Sequence, residues 1–452
     1  MQLEDRRGQL AMAVCALLGG GAVHAQPAPA AASPDNPAAV IDSGFLWYQE
    51  SNQRIRDAEV IVNVRQPLPD ERSWNAHLTI DSVCGGSPIG ALPSKASQHF
   101  VTPTATSLYP AIQTTTSASG GGDGGSFSLC TSPVQNQQYD VAPGQLPIDQ
   151  SFHDQRFALS GGYEAPLARL SRLTVGGALS HETDFQSASV NGSLARDLDN
   201  RNTTLSAGLN LEADSINPVG GTPVALSPYG LFQKGGNRSR QLQDLLLSGT
   251  QVVTRRWLAQ VNLSFERSSG YHTDPYKIVT QVDAQGNDAA GQYVYENRPD
   301  ARRRVALFWD NRYAFDTGVL QASYRRTQDS WGLHTDTFEA HYRQSFGWAG
   351  YLEPHWRGYR QNAADFFRFY LDQGAGLPSF VSADPRLAAF HAQTLGVKYG
   401  LPISDTGEAS LRVERYAQNG SGPATALPGL QGLDLYPGLR AWIVQLGLRA
   451  TF

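Results

Sequence analysis

From residue 301 to the C-terminus, charged and imidazole side chains recur two positions apart within short segments: Arg302, Arg304, Asp310 and Arg312; Arg325; Glu339, His341 and Arg343; Glu353, His355 and Arg357; Arg412 and Glu414; Arg449. On an extended chain, a spacing of two puts such residues on one face. That face carries both acids and bases, which admits two kinds of chemistry. Fixed charges around a water-filled passage create a transverse field that discriminates between permeating ions. Cross-strand Arg–Glu pairs, alternatively, simply brace a wall. One ladder can do both, and the pattern leaves the two open.

Other chemistry is thinly represented. His77, His153, His181, His272, His334, His341, His355 and His391 are scattered, and no Cys/His metal spacing occurs. His341 and His355, on neighbouring segments with the same facing, can approach each other. A metal centre needs three or more converging ligands, so two polar residues in a wet interior is the plainer reading. No Ser-His-Asp or Asn-His-Ser arrangement stands out as a motif. A hydrolase would betray itself by a Ser or Asp within hydrogen-bond reach of a His at a rim. We expect no catalytic residue, no cofactor and no metal site, hence not an enzyme. Net charge is −5 and no basic block points to nucleic acid.

The elements that must position these residues are strands. Trp442, Val444, Leu446, Leu448, Ala450 and Phe452 alternate with Gln445, Gly447, Arg449 and Thr451, Ile443 being the exception. This period of two gives one apolar and one wet face. The length, roughly ten residues, suits a tilted strand crossing a bilayer. Trp74, Ala76, Leu78 and Ile80 oppose Asn75, His77, Thr79 and Asp81 in the same way. Leu205, Ala207, Leu209 and Leu211 oppose Thr204, Ser206, Gly208 and Asn210. In this earlier half the inward face is hydroxylic and amide rather than charged, with Thr174, Ser180, Ser189, Asn191 and Ser193 also on it. Trp74, Trp257, Trp309, Trp356, Trp442, Tyr313, Tyr324 and Tyr342 suit interfacial girdles or lipid-facing bulk. Mean hydropathy is −0.35, and beyond the N-terminal region no run of about eighteen apolar residues exists, which excludes a helical membrane protein but not a barrel.

Strands are expected around residues 46, 61, 78, 158, 176, 191, 207, 247, 262, 308, 323, 340, 355, 394, 412 and 446. That is about sixteen, an even number as bacterial barrels require. Connections at 66–73, 164–171, 197–202, 254–257, 316–318, 347–350 and 401–407 are short. Those at 84–151, 215–240, 269–300, 362–387 and 419–438 are long. With both termini on the periplasmic side, these short turns fall there and the long loops fall outside.

Residues 1–25 read as a secretory signal peptide: Arg6 and Arg7, an apolar stretch from Leu10 to Val23, and the small-x-small site Val23-His24-Ala25. Residues 26–39, rich in Pro and Ala, read as a disordered periplasmic lead-in. Residues 40–452 form the barrel. Cys84 and Cys130 remain after cleavage and bracket a Gly/Ser-rich stretch, so an oxidising compartment predicts a disulfide between them.

Several segments carry a resemblance. Ser269-Gly-Tyr-His-Thr-Asp-Pro-Tyr-Lys277, Glu296-Asn-Arg-Pro-Asp-Ala-Arg302, Tyr359-Arg-Gln-Asn-Ala-Ala-Asp-Phe-Phe367, Ser382-Ala-Asp-Pro-Arg-Leu-Ala-Ala-Phe390 and Gly86-Ser-Pro-Ile-Gly-Ala91 resemble the family catalogued as domain of unknown function 3570 (DUF3570). The last departs from that family's tendency at Gly86 and Ile89, and the 84–130 insertion is a further departure. The resemblance implies an outer-membrane barrel and no established activity. It also marks loop-edge residues for function or for loop folding: Tyr271, Asp274, Arg298, Tyr359, Arg360 and Asp365. The terminal Phe452 resembles the insertion signal read by the barrel-assembly machinery.

The expectation is an all-β transmembrane antiparallel up-and-down barrel in the Gram-negative outer membrane, in contact with its lipid and lipopolysaccharide. A porin- or transporter-like channel for small polar solutes leads. A non-conducting surface scaffold or membrane partner of a periplasmic complex comes second, and a barrel hydrolase third. Oligomeric state is left open.

Overall fold

The computed structural model describes residues 38–51, 54–101, 138–150, 152–230, 234–423, 427–436 and 438–452. The expected signal peptide, nearly all of the lead-in, and Cys130 lie outside these residues.

Sixteen strands close into one antiparallel barrel. They are β1 (Val40–Glu50), β2 (Ile55–Leu68), β3 (Arg72–Gly85), β4 (His153–Ala168), β5 (Ser171–His181), β6 (Phe185–Leu198), β7 (Thr203–Ile216), β8 (Arg238–Thr254), β9 (Trp257–Gly270), β10 (Ala301–Ala314), β11 (Gly318–Asp329), β12 (His334–Ser345), β13 (Tyr351–Gln361), β14 (Phe390–Ser404), β15 (Gly407–Gly420) and β16 (Leu439–Thr451). Every expected strand centre falls inside one of them. Each strand pairs with the next in sequence, and β16 returns to β1 in register from Val40↔Thr451 to Glu50↔Ala441. The backbone N–H of Phe452 donates to the Ala39 carbonyl at 2.9 Å, at the foot of this seam.

The alternation read from the sequence fixes which way each side chain points. Leu205, Leu209 and Leu211 stand exposed on the outside, while Asn210 between them is buried. Trp74, Trp257, Trp309, Trp356 and Trp442 share the outer face. Large apolar groups ringing the outside are stable only against lipid, since in water each would forfeit ~1.5–3 kcal/mol of burial. Among the described residues no helix is long and apolar enough to cross a membrane.

The short turns expected near 66–73, 164–171, 197–202, 254–257, 316–318, 347–350 and 401–407 share one end with both strand termini. Asp70 and Glu71 take positive φ there, at 62° and 57°, as tight hairpins of this kind require. The long loops all lie at the other end. Three short connections, those joining β1 to β2, β5 to β6 and β11 to β12, share that end with them, so loop length alone does not mark the side.

The true apolar core sits in these loops rather than in the wall. Gln98–Val101 pairs with Gln138–Val141, and Ile278–Val282 pairs with Asp288–Tyr295 and Leu371–Asp372. Phe100, Ile278, Val279, Val282 and Val381 are essentially fully buried. Backbone bonds tie separate loops together: Ile278 N–H to the Ile89 carbonyl at 2.9 Å, and Gly429 N–H to the Gln285 carbonyl at 2.6 Å. The described parts of the 84–151 loop, 86–101 and 138–150, are thus built into an ordered cap on the barrel end.

Candidate functional site

The inward ladder of β10–β16 is mostly paired. Arg302 meets Asp329 (Nε–Oδ2 2.7 Å), Arg304 meets Glu266 (3.2 Å), and Arg312 meets Asp310 (3.1 Å). Arg343 meets Glu353 (2.7 Å), Arg412 reaches Glu353 (3.5 Å) and Glu414 (3.4 Å), and Arg449 meets Asp42 (3.4 Å). For these residues the wall-bracing reading is geometrically realised. Arg325 and Arg357 differ. Arg325 lies over the Phe308 ring at 4.9 Å, and neither guanidinium has a carboxylate at ion-pair distance among the described residues.

Register explains Arg357. Its cross-strand partner on β12 is Glu339. That carboxylate is instead engaged by His341 Nε2 at 2.9 Å and His355 Nε2 at 3.2 Å. The two imidazoles face each other in register and stack at 4.1 Å with a 4° interplanar angle. Glu414 takes His355 Nδ1 at 2.8 Å. The approach of His341 to His355 expected from sequence is therefore real. Ligand atoms of Glu339, His341 and His355 lie within 4.8 Å of one another, as do those of Asp154, Glu182 and Asp184. In the first group both Nε2 atoms approach the same carboxylate oxygen, Glu339 Oε1.

Inside the barrel lies a cavity of about 690 Å³. Ser180, Ser189, Asn191 and Asn210 line it from the earlier half, where Glu59, Arg156, Glu212 and Arg240 add charges that the alternation pattern did not single out, and Arg325, Glu339 and Arg357 line it from the later half. Asp244 of β8, which accepts from Asn210 at 3.4 Å, also lines it.

The loop-edge motifs converge at the mouth of this cavity. Arg298 pairs with Glu296 (2.6 Å) and Asp384 (2.8 Å), and Arg386 pairs with Asp384 (2.5 Å) and Asp274 (3.0 Å). Ser382 Oγ donates to Glu296 at 2.5 Å. Lys277 Nζ donates to Ser87 Oγ (2.7 Å) and the Pro88 carbonyl (2.5 Å). Gln361 Nε2 donates to the carbonyls of Arg386 and Ala388. All five segments that carry the family resemblance therefore touch one another. Burial raises the Glu296 carboxyl against the pull of Arg298, and burial lowers the Lys277 ammonium. Burial alone would raise Asp384 too, but Arg386, Lys277 and Arg298 outweigh it and hold that carboxyl well below the usual range.

Of the six loop-edge candidates, Asp274 and Arg298 are in this cluster and Tyr359 lines the cavity. Tyr271 is half-buried under Arg238 at 5.9 Å, and burial raises its phenol. Arg360 and Asp365 are exposed and stand apart. Glu296, Lys277, Asp384 and Arg386 were not singled out by sequence, although each lies inside a quoted motif. Cys84 is buried at the end of β3.

One arrangement was not legible as a motif. Ser268 Oγ lies 2.8 Å from His272 Nε2, and His272 Nδ1 lies 2.9 Å from the Gly270 carbonyl. Both side chains line the cavity. With Nδ1–H donating to the carbonyl, Nε2 is left to accept the Ser268 proton, which is the tautomer a general base needs.

A closed, even-stranded antiparallel barrel, apolar outside and polar within, defines a transmembrane β-barrel of the outer-membrane type. The chain belongs to the family described as protein of unknown function DUF3570, whose model matches residues 7–450. No curated protein matches it. Similar solved structures include Pseudomonas aeruginosa OccK2 (OpdF) in complex with glucuronate, at 10% identity and TM-score 0.38, covering 92% of this chain and 98% of that one. A bacterial polysaccharide outer membrane secretin shares 10% identity at TM-score 0.43, covering 92% and 99%. The ferric enterobactin receptor PfeA of Pseudomonas aeruginosa shares 12% identity at TM-score 0.38; the match covers 85% of this chain and 54% of the receptor.

Proposed function

We propose that this protein is an exported outer-membrane channel for small polar solutes. The observation that carries the reading is the polar cavity of about 690 Å³ within the strands, lined from both halves of the barrel. Fixed charges inside a membrane are stable only in contact with water or each other, so a wall of this kind favours aqueous content. On this reading the signal peptide is removed after Ala25, Cys84 and Cys130 are joined, the assembly machinery reads Phe452, and the outer face meets lipid and lipopolysaccharide. Purified protein in planar bilayers should show discrete conductance steps. Their absence at every voltage removes the channel reading and leaves the scaffold, for which the ordered loop cap is suited.

A second reading, a hydrolase acting at the cavity mouth, is supported by the Ser268–His272 pair alone. A fluorophosphonate probe should then label wild-type protein and not Ser268→Ala. Equal signal from both forms rules it out.

A further inference from the structure

We infer that Arg325 and Arg357 form a binding site for small carboxylate anions in the lumen. The inference deepens the channel reading and rests on it for its transport consequence, but the binding itself can be measured separately.

Three adjacent strands build the site. Arg325 of β11 is opposite Thr337 of β12, which is opposite Tyr359 of β13; Arg357 of β13 is opposite Glu339 of β12. The two arginines stand two strand spacings apart, about 10 Å between backbones. All of these side chains line the cavity. The hydroxyl of Tyr359 donates to Gln361 Oε1 at 2.6 Å, so it is oriented rather than free.

What sets this pair apart is the fate of the neighbouring acids. Along the rest of the ladder each of the named inward arginines lies at ion-pair distance from a carboxylate, Glu353 serving both Arg343 and Arg412. Here the one acid that register offers, Glu339, is held by His341 and His355, and Glu414 is in turn held by His355. The stacked imidazoles hold the Glu339 carboxylate beyond ion-pair distance of Arg357. Phe308 offers Arg325 only its ring face. Two guanidinium groups that no carboxylate reaches at ion-pair distance, among the described residues, then line the polar cavity. A planar guanidinium fork matches a carboxylate in both geometry and charge. A small organic acid carrying one or two carboxylates fits both the donors and the cavity.

The test separates this site from conduction itself. Under a KCl gradient, wild-type protein in planar bilayers should reverse at a potential favouring chloride, and malonate should reduce the current. In Arg325→Gln/Arg357→Gln the chloride-to-potassium permeability ratio should fall at least about fivefold, since each of the two unit charges removed weighs about that much a few ångströms from an ion in water-like surroundings. Malonate block should vanish with it. Arg325→Lys/Arg357→Lys should keep the chloride preference and lose the malonate block, because an ammonium has no fork. Heat-modified gel mobility verifies folding. An unchanged permeability ratio and unchanged block in the Gln variant overturn the inference while leaving the channel reading intact. If wild-type protein does not conduct, the channel reading alone falls. Equilibrium dialysis of labelled malonate against detergent-solubilised protein then decides: binding lost in the Gln variant sustains the site, and equal binding overturns it. Should the Gln variant fail to fold, unchanged malonate binding by the Lys variant overturns it equally.

Discussion

Asp384 is the residue on which the loop cap turns. Its carboxylate joins Arg298 and Arg386, and through them Glu296 and Asp274, with almost no solvent exposure. Removing one partner of a buried pair strands the other charge and costs about 3–5 kcal/mol. Asp384→Asn should therefore loosen the cap: native-state hydrogen exchange at residues 381–387 should speed up at neutral pH, while the barrel strands stay protected. The direction of its pKa sets a pH window. The folded carboxyl titrates below the unfolded one, which lies near ~3.9. Its contribution is complete above the unfolded value and is lost as pH falls through it towards the folded value. Exchange in the wild-type cap, corrected for intrinsic rate, should be flat from neutrality to about pH 5 and should rise below about pH 4. A rise that begins well above pH 5 would count against Asp384 as the controlling group.

At the level of the strand, inward and outward positions obey different rules. Leu209 lies midway along β7 and points into lipid, whereas Leu198 closes β6 at the short-turn rim. Arginine at the mid-bilayer position should cost about 2–4 kcal/mol, and at the rim about 0–1. Denaturant unfolding in lipid vesicles should accordingly shift strongly for Leu209→Arg and little for Leu198→Arg; equal shifts would refute the assigned facing. This same two-residue rhythm is why all sixteen barrel strands were readable. It is a local signal, repeated and punctuated by turn residues such as Asp70 and Asn200. The cap was opaque for the opposite reason. Its strands are short, like Leu371–Asp372, and its pairings join residues such as Lys277 and Ser87 that are far apart in the chain. Alternation located Glu339, His341, Arg357 and Arg325 on the inner face. It did not reveal that the histidines take Glu339 away from Arg357, because that depends on which rotamer wins a three-way competition.

For the whole molecule, the two ends of the barrel differ in kind. One carries tight turns and both strand termini; the other carries the structured cap. In the proposed outer-membrane orientation, a protease site inserted at Gly374, an exposed position of the cap, should be cut by enzyme added to intact cells. The same site at Asp405 should be cut only after the outer membrane is opened. Reversed accessibility would invert the topology.

The seam between β1 and β16 has a kinetic meaning. Every other contact in the wall joins strands consecutive in the chain, so each can form as a hairpin at small loop-closure cost. The seam alone joins segments some four hundred residues apart, Val40 with Thr451 at one end and Glu50 with Ala441 at the other. Non-local pairing of this sort is slow. Until it forms, β1 and β16 each present a bare edge of unpaired N–H and C=O groups, which hydrocarbon does not tolerate. Phe452 stands at the foot of that edge. The nascent sheet therefore needs an escort for both free edges until the last strand meets the first.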